Sequence, residues 1–109
     1  MNFITEAEIE KALDYLRDNA TTAAKARAER IYMEEYRKVV KAQIMGEHNS
    51  EANNAQERYA YADDRYTAHL EALRTAIEKD ERHRFLLAAA QAKIDAWRTQ
   101  QATERSMKL

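Results

Sequence analysis

SEANNAQERYAYADDRYTAHLEALRTAIEKDERHRFLLAAAQAKIDAWRTQQATE, residues 50–104, holds neither glycine nor proline. Tyr59, Ala62, Tyr66, Leu70, Leu73 and Ile77 recur at steps of three and four, the period of one face of an amphipathic helix. Leu87, Ala90, Ile94 and Trp97 resume that rhythm after the polar interval 78–84. With no turn residue in that interval, the pattern predicts one helix running through it. Such a helix is about 80 Å long at 1.5 Å per residue. The rest of a 109-residue chain folded as a compact ball cannot cover its whole apolar edge. The reading therefore expects a second copy or another protein to shield the distal seam, with Leu87, Ile94 and Trp97 at that interface.

The remaining sequence is also helical in character. The chain has no proline, one glycine and 34% charged residues, a composition of long helices and coiled coils that excludes a turn-rich β fold. Phe3-Ile4-Thr5-Glu6-Ala7-Glu8 reads as a helix start. Thr5 and Glu8 are spaced for a reciprocal capping box, and Ile4 is placed to staple against Ile9. Ile9, Ala12, Leu13 and Leu16 then form the buried face of a short helix, about 6–18. Asp18-Asn19-Ala20-Thr21-Thr22 competes with the helical backbone for hydrogen bonds and predicts a turn or kink. A second helix follows over about 21–45, its buried face drawn through Ala24, Ala28, Ile31/Tyr32, Tyr36 (or Glu35), Val39/Val40 and Ile44/Gln43. Gly46 falls where a left-handed C-terminal cap is expected, and Asn49 or Ser50 is placed to cap the third helix. The last residues, 99–109, are polar and expected to fray.

The expected architecture is thus all-α and a single domain, 1–109. It is an antiparallel helical hairpin (about 21–45 and 50–104) with a short N-terminal helix, coiled-coil-like and dimeric. Charge supports the pairing. The net charge of −1 divides into blocks of −3 (1–19), +3 (20–46), −5 (47–81) and +4 (82–109), so the second and third attract along a shared seam.

Chemistry has little purchase on this sequence. There is no cysteine, hence no disulfide or thiolate metal site, a usage that suits a reducing cytoplasm. Asp80 and His83 are the only inward-facing ligand pair, with no second copy of the motif, and they read as a polar layer that fixes register. No nucleophile sits in a strand–turn–helix context, and one glycine cannot build a phosphate-cradling loop. No apolar run approaches a membrane span, and the N-terminus lacks the pattern of a signal peptide. The expectation is a non-enzymatic, soluble cytoplasmic protein needing no cofactor or metal.

Binding surfaces are better represented. Arg27, Arg30, Arg37 and Lys41 fall along one helix face. Arg82, Arg84, Lys93 and Arg98 make the C-terminal third basic. These residues are candidates for neutralising nucleic-acid phosphates, with Trp97 or a tyrosine stacking on an exposed base. Of the six tyrosines, Tyr59 and Tyr61 cannot face the same way on one helix, and Tyr61 is the candidate exposed contact.

The run Tyr59-Ala60-Tyr61-Ala62, Tyr66, Leu70-Glu71-Ala72-Leu73, then Glu81-Arg82 and Ala96-Trp97-Arg98-Thr99-Gln100, carries a resemblance, as does Ala26-Arg27-Ala28-Glu29-Arg30-Ile31-Tyr32. This pattern resembles small uncharacterised all-helical proteins of tailed phages and prophages, associated with early-region recombination genes. The resemblance implies an accessory protein of DNA recombination or replication in the host cytoplasm, binding single-stranded DNA or a phage or host DNA-metabolism protein. It brings no catalytic residues. Two rival readings remain: an inhibitor of a host enzyme or defence complex whose acidic helix (Asp63, Asp64, Glu71, Glu78) imitates DNA, and a structural coiled-coil oligomer.

Overall fold

A computed structural model describes residues 3–108 of the chain. They form three helices and no strand: α1 (Glu6–Gly46), α2 (Asn53–Ala62) and α3 (Asp64–Lys108). The described residues divide into two compact units, a terminal unit (3–24 with 81–108) and a central unit (25–80).

In the terminal unit, α1 starts as its sequence dictates. The Thr5 N–H donates to Glu8 Oε2 at 3.0 Å and the Glu8 N–H to Thr5 Oγ1 at 3.2 Å, closing the capping box. Ile9, Ala12 and Ile94 form the buried cluster, with Ile4, Leu16, Ala90 and Trp97 packed against it. The Gln100 amide holds the chain entering α1 from both sides. Its Oε1 accepts the Ile4 N–H and its Nε2 donates to the Ile4 carbonyl, each at 2.9 Å. Residues 99–108 are helical, against the expected fraying, and Gln100 ties the start of that stretch to the chain entering α1.

The expected turn at 18–22 does not form: one helix replaces the segments 6–18 and 21–45. Asn19 shows why. Its Nδ2 donates to the Tyr15 carbonyl one turn back, at 3.0 Å, so the competing side chain bonds within the helix and caps nothing.

In the central unit, the buried face of α1 is Ala26 and Ile44, with half-buried Arg30, Met33 and Val40 between them. The expected face holds at Ile44 and, half-buried, at Tyr36 and Val40, but fails at Ala24, Ala28, Ile31, Tyr32 and Val39, which are exposed. A stripe chosen for apolar residues alone misses a seam that contains Arg30. That guanidinium meets Asp80 of α3, 3.2 Å from Oδ2, and Glu34, 3.0 Å from Oε1. Asp80 is only 8% exposed and is paired, whereas His83, expected in the same polar layer, keeps a buried Nδ1 without a hydrogen-bond partner. From α3, Leu73 and Ala76 are buried, and His69 Nε2 lies 2.7 Å from the Met33 carbonyl.

Gly46 ends α1 without a left-handed residue, and no described residue has positive φ. Bonds of the i→i−3 kind tighten the exit: the Glu47 N–H to Ile44 O and the His48 N–H to Met45 O, both 3.0 Å. Neither Asn49 nor Ser50 caps the next helix. Ala52 holds the N-cap position of α2 without a side-chain bond; instead Asn54 Oδ1 accepts the Ala55 N–H at 2.9 Å, and Gln56 Nε2 donates to the Glu51 carbonyl at 2.8 Å.

The expected single helix over 50–104 is interrupted once, at Asp63, and runs unbroken through 78–84. Asp63 is extended (φ −75°, ψ 137°). Its Oδ1 accepts the Arg65 N–H at 2.8 Å, and its carbonyl accepts from the Tyr66 and Thr67 N–H groups at 3.1 and 3.2 Å. This is an N-cap, so Asp63 closes α2 and opens α3.

Candidate nucleic-acid interface

The break at Asp63 builds the most distinctive surface feature of the central unit. Arg37, Lys38 and Lys41, on consecutive turns of α1, line a groove of about 330 Å³ with Tyr61 from α2 and Tyr66 from α3. The two rings meet edge to face, centroids 5.3 Å apart. Lys41 Nζ lies 4.9 Å from the Tyr61 centroid, within cation–π range, and 3.5 Å from Glu57 Oε1. The ammonium is held above its ordinary pKa, first by its contact with Tyr61 and then by the charge of Glu57. Lys38 reaches Glu35 at 3.2 Å on the outer edge. Arg37 is exposed and has no ion-pair partner within 4 Å among the described residues. Tyr61 is 52% exposed, as an aromatic contact surface requires.

Arg65 bridges two carboxylates beside the break. Its guanidinium bonds Asp63 through Nε (3.0 Å) and Nη2 (2.9 Å), and Glu47 through Nη1 (2.9 Å) and Nη2. The Arg65 hydrogen bonds hold the Asp63 carboxyl down to about 2, and the same contacts lower Glu47 and raise Arg65. A carboxylate depressed in this way supports the fold above its ordinary pKa near 3.8 and gives up that support as pH falls toward 2. The bridge is therefore fully charged at neutral pH.

The other sequence candidates are dispersed. Arg27 is exposed and Arg30 is committed to Asp80 and Glu34. In the terminal unit, Arg82 is exposed, while Arg84 bonds Glu81 at 2.7 Å and lies over the Phe85 ring at 4.7 Å. Lys93 flanks a shallow alanine-floored groove with Lys11, Tyr15 and Leu86, and Arg98 pairs with Asp95 at 3.8 Å. Of the eight basic candidates, one groove gathers only Arg37 and Lys41, and it adds Lys38, and Tyr66, which the sequence placed on the apolar seam and not at a binding surface.

The proposed interface residues of α3 have other neighbours. Ile94 is 6% exposed in the core cluster, Trp97 packs on that cluster, and Leu87 is half-buried. The cover expected from a second molecule comes instead from Ile4, Ile9 and Leu16. Elsewhere on the expected seam Leu73 is buried, whereas Tyr59, Ala62 and Leu70 are exposed. Trp97 Nε1 and His83 Nδ1 are buried without a hydrogen-bond partner. Among the described residues no group of three or more His, Cys, Asp or Glu could hold a metal ion, and no helix is long and apolar enough to cross a membrane.

Compared with known proteins, the chain matches no family model, no curated protein and no solved structure.

Proposed function

We propose that this chain is a non-enzymatic accessory protein of nucleic-acid metabolism, of the kind that serves recombination or replication, and that it binds single-stranded DNA. In this reading residues 25–80 act as an antiparallel helical hairpin whose α1 face tracks the phosphate backbone. One observation carries the reading: three cations and two tyrosine rings converge on one nucleotide-sized groove. Cations alone give backbone affinity without selectivity for strandedness. Exposed aromatic rings add stacking that only unpaired bases can accept. The acidic-mimic reading draws less support, because Asp63 is bound by Arg65 and Glu71 lies 3.8 Å from Arg74.

Fluorescence anisotropy with a labelled oligothymidine tests the proposal. Engaging about three phosphates at a slope of roughly −0.7 each, affinity should fall about 20-fold between about 50 and 200 mM salt. Tyr61→Ala should weaken binding at least several-fold, as roughly 1–3 kcal/mol per stacked base implies. Duplex DNA should bind more weakly than the single strand. No binding at low salt, or a response flat in salt and indifferent to Tyr61, overturns the proposal.

A further inference from the structure

Tyr61 and Tyr66 are five residues apart, so on an unbroken α-helix their side chains would diverge by about 140°. Their edge-to-face contact exists only because the helix is interrupted between them. Nothing in the covalent chain compels that interruption. Residues 60–66 contain no glycine or proline, and Ala60 and Ala62 are the strongest of helix formers. Asp63 supplies the cap that starts α3, but a lone capping aspartate does not prevent α2 and α3 from joining into one helix.

Arg65 supplies what is missing. It grips the capping carboxylate through two nitrogens, and with the same guanidinium it takes both oxygens of Glu47, eighteen residues earlier in the turn leaving α1. Exposed ion pairs are ordinarily weak. A planar fork shared between two carboxylates is the geometry in which they hold position. Continuation of α2 into α3 would pull Asp63 into helical geometry, and the bridge to Glu47 would then part.

We propose that Arg65 is the positioning residue of the groove: by bridging Glu47 and Asp63 it maintains the α2–α3 break that sets Tyr61 against Tyr66 and Lys41. The importance of this for binding rests on the function proposed above; the geometry does not. Without the bridge, α2 and α3 tend to merge, the Tyr61 ring leaves Tyr66, and Lys41 loses its aromatic partner.

The test reads ring proximity directly. In the full chain, edge-to-face rings 5.3 Å apart give a strong nuclear Overhauser cross-peak between the Tyr61 and Tyr66 ring protons. Arg65→Ala should abolish that cross-peak. Arg74→Ala, which removes an arginine of the same helix that reaches only Glu71, should keep it. Glu47→Gln cuts half of the bridge and should weaken the peak by more than half; it serves as the decisive variant should Arg65→Ala not fold. A full-intensity cross-peak in folded Arg65→Ala, or in Glu47→Gln if the first does not fold, overturns the proposal. Anisotropy with the same oligothymidine is run in parallel. A cross-peak that depends on Arg65 in a protein that binds no single strand would uphold the clamp and refute the nucleic-acid reading. Binding with an Arg65-independent cross-peak would do the reverse.

Discussion

The two units of this chain are built from the same two long helices, yet they are held by different chemistry. The terminal unit is an apolar core, with Ile9, Ala12 and Ile94 buried and Ile4, Leu16, Ala90 and Trp97 around them. The central unit buries smaller apolar groups, Ala26, Ala60 and Ala76 beside Ile44 and Leu73, and adds directional bonds: Arg30 to Asp80, His69 to the Met33 carbonyl, Arg65 to Glu47 and Asp63. An apolar core fixes proximity but tolerates sliding. Directional bonds fix register and orientation, which a surface of placed side chains requires. The groove of Arg37, Lys38, Lys41, Tyr61 and Tyr66 lies in the unit richer in such bonds; the terminal unit adds to its core the paired Gln100–Ile4 bonds.

The strongest challenge to this contrast is Ile94→Ala. The side chain is 6% exposed in a close cluster, so truncation should cost about 2–4 kcal/mol in urea denaturation followed by Trp97 fluorescence. A cost below about 1 kcal/mol would mean that the terminal unit does not depend on its apolar core. The matching experiment in the central unit is Asp80→Ala, expected to cost about 1–3 kcal/mol because it leaves a partly buried guanidinium with less compensation. Arg30 keeps Glu34, which holds the loss below that of an isolated buried pair. A double-mutant cycle with Arg30→Ala isolates the pair: coupling near zero would remove Asp80–Arg30 from the bonds that set register.

How far each unit could be read from sequence depends on the same difference. The terminal unit was largely legible. Thr5 and Glu8 form the capping box that their spacing predicts, and Ile9, Ala12, Leu16 and Ile94 lie on the faces that periodicity assigns them, whereas Leu13, assigned to the same face, is exposed. What covers Ile94 was not legible, because Asn19 and its threonine neighbours read as a turn when Asn19 bonds inside the helix. The central unit was legible in composition but not in phase. Hydrophobic periodicity selected Tyr36, Val40 and Ile44 correctly but also Ile31, Tyr32 and Val39, whereas the buried face passes through Arg30, which no apolar pattern marks. The groove was half legible: Arg37, Lys41 and Tyr61 were singled out separately, but their meeting depends on the break at Asp63. The available signal there was Asp63-Asp64 ahead of an apolar-periodic run, an N-cap signature inside a glycine-free stretch. Continuous alanine-rich helix propensity outweighed it.

The smallest expected effect concerns Gly46, where the two kinds of reasoning give opposite signs. As a left-handed cap, glycine would be required, and Gly46→Ala would destabilise the chain. The residue instead ends α1 without positive φ, and a Cβ built on it meets nothing within 4 Å. Alanine there should therefore stabilise the protein by about 0.5–1 kcal/mol, mainly by restricting the unfolded chain and favouring the last helical turn. For a domain of about 100 residues that raises Tm by a few degrees, within reach of calorimetry. A fall in Tm would mean that the exit from α1 needs the freedom of glycine. It would also mean that the turn carrying Glu47 is set by backbone conformation at Gly46 as well as by the grip of Arg65.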